Sequence, residues 1–170
     1  SCSLVGSEMC IRVSYCRDPK MLETYRTGGD IHASTTSVIF GVSYEEAQDK
    51  HSKDYKEHRT IAKNCNFGVF YGLFPKGLQT TLRFKAGLDT PIERCQEIIR
   101  NLKAGYSGLT LWQDETKRCA AQTCYAETRL GRRRYLIGML SDDWSKKSFA
   151  ERCALNTPIQ GTAADILKAA

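Results

Sequence analysis

The sequence predicts a mainly α protein with one small β-hairpin, an α+β fold. Helix-capping residues, prolines and glycines punctuate most of the chain at helical spacing. A single segment, TCYAETRLGRRRYLIGML, instead has two short extended runs around Leu130-Gly131, which is the pattern of a hairpin with an arginine-rich tip. No internal repeat or flexible linker interrupts the 170 residues, which suffice for one sizeable core or for part of a larger one.

Two short helices are predicted near the start of the chain, each with an aspartate cap and a glycine stop. The first has Asp18 as its N-cap, with proline next, and ends at Gly28-Gly29. The second has Asp30 as its N-cap and ends at Gly41.

Further helix starts are predicted where Ser or Thr precedes Glu by three residues, the spacing of a capping box. The three pairs are Ser43 with Glu46, Thr90 with Glu93, and Ser148 with Glu151. Helices are expected over about 54 to 73, 76 to 86, 91 to 104, 108 to 121 and 149 to 156, and Pro158 is expected to begin another helical turn.

Composition narrows the function classes. The net charge of +6 leans only slightly toward a polyanionic partner, but Lys117 to Arg134 holds six basic residues against the single acid Glu127. The eight cysteines form no C-x-x-C pair, which argues against zinc and for reduced thiols. No apolar run approaches the roughly 18 residues of a membrane span, and no signal peptide is recognised, so we expect a cytoplasmic protein without a membrane partner.

The segment RTIAKNCNFGVFYG, residues 59 to 72, carries the strongest functional pattern. On a helical wheel its cations and rings share one side, opposite small and apolar residues; this cation-aromatic stripe comprises Arg59, Lys63, Phe67, Phe70 and Tyr71. Cations would bind phosphates, and rings would cover a sugar and a base. The alternative is that the rings pack on a neighbouring element while the cations are solvated.

The pattern R-x-x-x-K-x-x-N-F-G-x-x-Y-G resembles the fingers-helix motif of family A DNA polymerases, the bacterial DNA polymerase I class that includes phage enzymes. GGDIHASTTSVIFGV, LGRRRY and ERCALNTPIQGTAADILKAA resemble other segments of that family and occur in family order. The resemblance covers roughly residues 13 to 170. It implies the fingers and part of the palm of a right-hand polymerase fold, and DNA-directed DNA synthesis in replication or repair.

The resemblance implies a role for each matching residue of the dNTP site. Arg59 and Lys63 would hold the triphosphate of the incoming deoxynucleotide, and Lys63 would also donate a proton to the departing pyrophosphate. Phe67 would lie against the sugar and base, and Tyr71 would stack near the template base. His32 would add a phosphate contact.

Contacts to primer-template DNA are implied for the last motif. Arg152, Asn156 and Gln160 would touch the DNA near its growing end. For the arginine run at 132 to 134, a solvated turn and a contact with the nucleic-acid backbone are both open.

The metal site is where the sequence departs from the family. Family members use two Mg²⁺ ions held by carboxylates of two palm motifs. The first motif, D-Y-S-Q-I-E, falls on SLVGSE, with Ser3 in place of the metal-binding aspartate and Glu8 at the position of the glutamate that excludes ribonucleotides. The second lies beyond Ala170. The Mg²⁺ of the complete parent enzyme would therefore lack its ligands here, and the chain alone is expected to be inactive.

Residues 1–12, SCSLVGSEMCIR, look like translated sequencing-adapter read-through, so we predict a non-native segment followed by a partial polymerase domain over 13–170. A genuine divergent strand is the alternative.

Two other functions stay open. Single-subunit RNA polymerases share the Arg, Lys and Tyr-Gly spacing but have a different triplet in place of NFG, and a non-enzymatic basic helical module would bind nucleic acid without a triphosphate site.

Overall fold

The computed structural model describes residues 4–169, with side chains from Met9 onward, and confirms a mainly helical fold with one small hairpin. The helices are α1 Leu4–Cys16, α2 Pro19–Arg26, α3 Ile31–Phe40, α4 Tyr55–Gly68, α5 Pro75–Ala86, α6 Ile92–Gly105, α7 Ser107–Thr123, α8 Trp144–Asn156 and α9 Thr162–Ala169. The strands are β1 Tyr125–Glu127 and β2 Arg133–Tyr135. Within this range no helix is both long and apolar enough to cross a bilayer.

The chain divides into two compact units. The middle unit is Asp18–Thr110, and the terminal unit combines Ser1–Arg17 with Leu111–Ala170. In the middle unit α3 packs against α4 and α6, and α5 packs against both α4 and α6. Its fully buried side chains include Ile61 and Cys65 of α4 and Ile98 and Leu102 of α6.

Both aspartate caps are confirmed. The Asp18 carboxylate accepts hydrogen bonds from the backbone N–H groups of Lys20 and Met21, and Asp30 caps α3 in the same way. At the other end of α3, Gly41 has a φ of 69°, the left-handed conformation that glycine adopts without a steric cost.

The predicted capping box at Ser43 forms, whereas the one at Thr90 does not. Ser43 and Glu46 exchange both hydrogen bonds of a box, at 3.1 and 2.8 Å, but only a single 3-10 turn follows. For α6 the prediction of a box at Thr90 is wrong. Pro91 takes the N-cap position without a side-chain hydrogen bond, so Thr90 lies one residue too far from the helix.

The predicted stripe also needs a correction, because Phe70 is buried, with 1% of its surface exposed. The α-helix ends at Gly68 and tightens into a 3-10 turn over Val69–Tyr71. The 100° step of the wheel does not apply beyond that point. Phe70 therefore belongs to the core, and the stripe keeps only two rings.

In the terminal unit the hairpin forms as predicted. β1 and β2 pair antiparallel, with Tyr125 opposite Tyr135 and Glu127 opposite Arg133. An apolar cluster is formed by residues of α7, β1, α8 and the segment that follows β2. Its members are Ala120, Ala126, Leu136, Met139, Ala150, Cys153 and Ala154.

α8 begins earlier than predicted, and the box at Ser148 is wrong. The Asp143 carboxylate caps the helix by accepting from Ser145 and Lys146 N–H groups at 2.8 and 3.3 Å. Ser148 therefore lies inside the helix, where it is buried, and its hydroxyl has no hydrogen-bond partner among the described residues.

Another helical turn starts at Thr157 and Pro158, as predicted, but it is not the start of a separate helix. α8 continues through a π turn, Thr157–Gly161, into α9. Proline has no N–H for the helical ladder, and we attribute the widened turn to that mismatch. π turns inside helices are frequent at functional sites.

The segment 1–12 is described only in part. α1 runs without a break across residue 12, and Met9 and Arg12 are buried at 5% and 1% exposure. The described form is thus helical rather than a strand. The boundary at residue 12 stays a prediction. The cysteines at 10, 16, 65, 95, 119, 124 and 153 are free thiols.

The two capping assignments for α8 predict opposite effects of Ser148→Ala. Because the substitution removes an unpaired buried hydroxyl, we expect the free energy of unfolding to stay unchanged or rise by about 1 kcal/mol. Asp143→Ala should lower it by about 1 kcal/mol through loss of the cap. Urea unfolding of both variants measures this, and a clear loss of stability in Ser148→Ala would restore Ser148 as the cap.

Candidate functional site

The N-terminal end of α3 meets the first turns of α4 through an ion pair. Arg59 Nη1 lies 2.6 Å from Asp30 Oδ2. The same carboxylate caps α3 by accepting from the His32 N–H at 2.8 Å, and the Asp30 N–H donates to the Tyr44 hydroxyl at 2.7 Å. Asp30 thus performs a capping role that the sequence predicted and an ion-pairing role that it did not reveal.

Electrostatics around Asp30 favour the carboxylate. Partial burial is the largest single influence and raises its pKa, but the Arg59 hydrogen bond and charge, with the backbone N–H groups of His32 and Ala33, outweigh it and lower the pKa overall. The ion pair is about one-third exposed on both sides, so its net contribution to stability is modest.

His32 lies behind this pair and contacts α4. Its Nδ1 is 3.0 Å from the amide nitrogen of Asn66, which is 1% exposed. Burial lowers the His32 pKa, the charges of Arg59 and Lys63 lower it further, and Asp30 opposes them. A lowered pKa keeps the imidazole neutral at pH 7.

Lys63 completes the cationic side of the site. It is exposed, and no described acidic side chain forms an ion pair with it. The structure therefore places Arg59 and Lys63 close enough to His32 for their charges to lower its pKa, and it leaves Lys63 open to an anion.

The two rings of the stripe follow Lys63 along the chain, Phe67 in α4 and Tyr71 in the 3-10 turn after it, and both are half-buried. Glycines fix the backbone beside them. A Cβ on Gly68 would lie 2.5 Å from Leu73 Cδ2, and Gly72 has a φ of 76°. Phe67 and Tyr71 are thus carried on a turn whose shape two glycines determine.

A polar cleft of about 450 Å³ lies in the terminal unit, between the arginine run at 132 to 134 and the π turn. The cleft is lined by Arg132, Arg133, Arg134, Asn156, Thr157, Gln160 and Gly161. It gathers the hairpin and two of the three residues of the last motif that were predicted to bind DNA, Asn156 and Gln160. The third, Arg152, is exposed and does not line it; its guanidinium lies 6.0 Å from the Phe149 ring centre.

The three arginines of the run differ in their partners. Arg132 donates to Asp165 at 2.7 Å and to the Gly161 carbonyl at 3.1 Å, which ties the hairpin to α9. Arg133 pairs with Glu127 at 2.7 Å. Arg134 is exposed and has no acidic partner in the described part of the chain.

Asp165 is a residue that the sequence motif did not single out. It accepts from the Thr128 hydroxyl at 2.6 Å as well as from Arg132. The hydrogen bond from Thr128 is the largest influence on the pKa of Asp165 and lowers it. The hydrogen bond and charge of Arg132 and the charge of Lys168 lower this pKa further, whereas desolvation opposes them. Asp165 therefore fixes Arg132 in a structural position.

On the opposite wall of the cleft, Asn156 donates through its amide to Gln160 Oε1 at 3.0 Å. The Asn156 Oδ1 atom is buried and has no hydrogen-bond partner among described residues. The pair thus presents one spare buried acceptor beside an exposed amide.

A metal site does not form in the described part of the chain, where no three His, Cys, Asp or Glu side chains are grouped to hold an ion. Ser3 lies outside the described residues, and the side chain of Glu8 is not described either. Among the residues whose side chains are described, 9–169, no such group fits a two-metal site.

Comparison with known sequences decides the family: the sequence model of DNA polymerase family A matches residues 6–170. The chain belongs to DNA polymerase family A. DNA polymerase I of Geobacillus stearothermophilus is 36% identical over 163 residues, which are 96% of this chain and 17% of that protein. The DNA polymerase of Bacillus phage SP01 is 34% identical over 158 residues, 93% of this chain and 16% of that protein. The chain thus spans about a sixth of these curated relatives.

The fold agrees with this family. The chain is similar to the POL domain of Pol1 from M. smegmatis, solved in complex with DNA primer-template and dNTP, with a TM-score of 0.80 and 32% identity. The match covers 95% of this chain and 26% of that one. The fingers and partial palm of a right-hand polymerase are therefore the fold of this family A chain.

Proposed function

We propose that this chain is the dNTP-binding and primer-template-binding part of a DNA-directed DNA polymerase, a nucleotidyltransferase of replication or repair. The observation that carries the proposal is the grouping of His32 of α3 with Arg59 and Lys63 of α4, ahead of two half-buried rings at the end of α4 and in the turn that follows it. Similarity to a Pol1 domain solved with DNA and dNTP supports it.

The cations account for triphosphate binding. Arg59 presents a planar fork suited to phosphate oxygens, and its ion pair with Asp30 holds that fork beside His32. A triphosphate has more charge than one carboxylate, so it would compete for the exposed side of the guanidinium. His32 would donate from its free ring nitrogen.

Lys63 is proposed as the proton donor to the departing pyrophosphate. Its ammonium is exposed and faces no described acid, so it is available to a phosphate oxygen. Farther along α4, Phe67 would lie against sugar and base, and Tyr71, in the 3-10 turn after α4, would lie near the template base. Stacking on such rings typically contributes about 1 to 3 kcal/mol per base.

The cleft of the terminal unit is proposed to hold the primer-template. Asn156 and Gln160 offer amide groups suited to base edges, and Gln160 is the exposed member of the pair. Arg152 would contact the backbone from outside the cleft. Because Arg132 and Arg133 are already ion-paired, Arg134 is the member of the run best placed for a phosphate.

The cofactor of the complete parent enzyme would be a divalent metal, Mg²⁺ by the family resemblance. When bound, such ions activate the primer hydroxyl and stabilise charge on the leaving pyrophosphate. The described residues do not group to hold them. We therefore propose that the 170 residues bind substrates but do not join them.

The dNTP site is tested by measuring dATP and deoxyadenosine binding by calorimetry. We expect dATP to bind and Lys63→Ala to weaken it by about 10-fold or more, because a hydrogen bond between charged groups typically contributes about 1.5 to 3 kcal/mol. Lys103→Ala, at an exposed lysine of α6, is the matched control. Equal affinity for dATP and deoxyadenosine would contradict a triphosphate site.

The inactivity of the isolated chain is a separate prediction. With a primed template, all four dNTPs and Mg²⁺, we expect no primer extension, because an unstructured set of water ligands does not fix two metal ions in position. Gel-based extension assays measure it. Metal-dependent extension by the purified 170-residue chain would refute this part of the proposal while leaving the dNTP site standing.

The arginine run gives a prediction for DNA binding. Arg134→Ala should weaken binding to a primed duplex and reduce the salt dependence of log K by roughly 1, the slope contributed by one phosphate contact. Arg133→Ala removes the same charge but from a residue paired with Glu127, and should leave the slope nearly unchanged. Equal effects of the two variants in salt titrations would mean that Arg134 has no special role.

A further inference from the structure

A chain of buried hydrogen bonds ends at His32. The Tyr106 hydroxyl, in a side chain with 0% exposure, lies 3.0 Å from Thr35 Oγ1. Thr35 Oγ1 lies 2.9 Å from Asn66 Oδ1, and the Asn66 amide nitrogen lies 3.0 Å from His32 Nδ1. Thr35 and Asn66 are buried at 0% and 1% exposure, so water does not replace these contacts.

The chain has a direction. The one hydroxyl proton of Thr35 faces two acceptors, the Asn66 oxygen and the Ile31 carbonyl at 2.8 Å. Thr35 Oγ1 must therefore accept from Tyr106. The Asn66 amide nitrogen donates to His32. The carboxamide oxygen of Asn66 thus faces a donor, and its nitrogen faces an acceptor. An amide nitrogen is a donor only, so His32 Nδ1 must accept and cannot carry a proton in this arrangement.

We propose that Asn66 is a positioning residue that fixes the tautomer and the ring orientation of His32. With Nδ1 accepting, the imidazole proton resides on Nε2, on the side of the ring away from Asn66. His32 then presents one neutral, correctly placed N–H donor to the phosphates of the nucleotide. This inference rests on the dNTP site proposed above.

The surroundings explain why a neutral donor suits this place. Asp30, Arg59 and Lys63 are the charged groups whose fields act on the His32 ring. The two cations disfavour a third positive charge, and Asp30 is already paired with Arg59. A fixed imidazole also loses less rotational freedom when it binds a phosphate, since Asn66 has ordered it in advance.

The tautomer is measured directly by long-range ¹H–¹⁵N NMR of the ring nitrogens in the unsubstituted chain at pH 7.5. We expect His32 to be neutral, with a protonated Nε2 and an unprotonated Nδ1. His32→Gln assigns its signals among the three histidines of the sequence. A proton on Nδ1 would overturn the inference, since it would require the opposite orientation of the Asn66 amide.

Asn66→Asp tests the direction of the contact with little change of shape. A carboxylate accepts from Thr35 as the amide oxygen does but cannot donate to His32, so Nδ1 should gain a proton. Asn64→Asp adds the same charge to α4, where the amide donates to the Thr60 carbonyl rather than to His32. The control should leave Nδ1 unprotonated. A proton on Nδ1 in both variants would mean that the added negative charge, and not the loss of the Asn66 donor, causes the change.

Affinity for dATP connects the tautomer to function. We expect Asn66→Asp to weaken dATP binding about 10-fold more than Asn64→Asp, the scale of one hydrogen bond. With His32→Gln already present, the two aspartate substitutions should have equal effects. An unequal effect in that background would overturn the role through His32, although dATP binding and its dependence on Lys63 would persist. Loss of the Lys63 dependence would instead remove the proposed dNTP site, and this inference with it.

Discussion

The middle unit depends on one constraint: the buried side chain of Asn66 on α4 must find its hydrogen-bond partners on α3. Thr35 and His32 supply them, one at each end of the carboxamide. A buried amide left unpaired typically costs about 1 to 3 kcal/mol, so a shift of α3 against α4 that separates these groups is disfavoured. Tyr106 extends the same network to the residue that follows α6.

That register also determines what lies on the surface. With Asn66 held against α3, Arg59 reaches Asp30 at the start of α3, and Lys63 remains exposed. The core takes Ile61 and Cys65 from the opposite side of α4. Arg59, a cation of the proposed dNTP site, is thus positioned next to a polar contact in the interior, which links the stability of the fold to the proposed chemistry.

In the terminal unit, ion pairing separates three adjacent arginines into different roles. Asp165 pairs with Arg132 and thereby attaches the hairpin to α9. Glu127 of β1 pairs with Arg133 of β2 across the hairpin. A paired guanidinium has less capacity to bind a new anion. Arg134, which has no acidic partner in the described part of the chain, is therefore the arginine of the cleft most available to one. The basic patch seen in the sequence is therefore partly structural and partly available.

The sequence by itself determined the helical class, the hairpin, the caps at Asp18 and Asp30, and, through the spacing of its motifs, the family. These follow from local rules, because caps, glycine stops and turn residues act within a few positions of the chain. It did not determine that Phe70 is buried, that Asp143 caps α8 in place of Ser148, or that the π turn passes through Pro158. Those outcomes depend on competition between neighbouring signals and on packing. The partners of Arg59, His32 and Arg132 lie 29 to 34 residues away in the sequence, and folding is what brings them together.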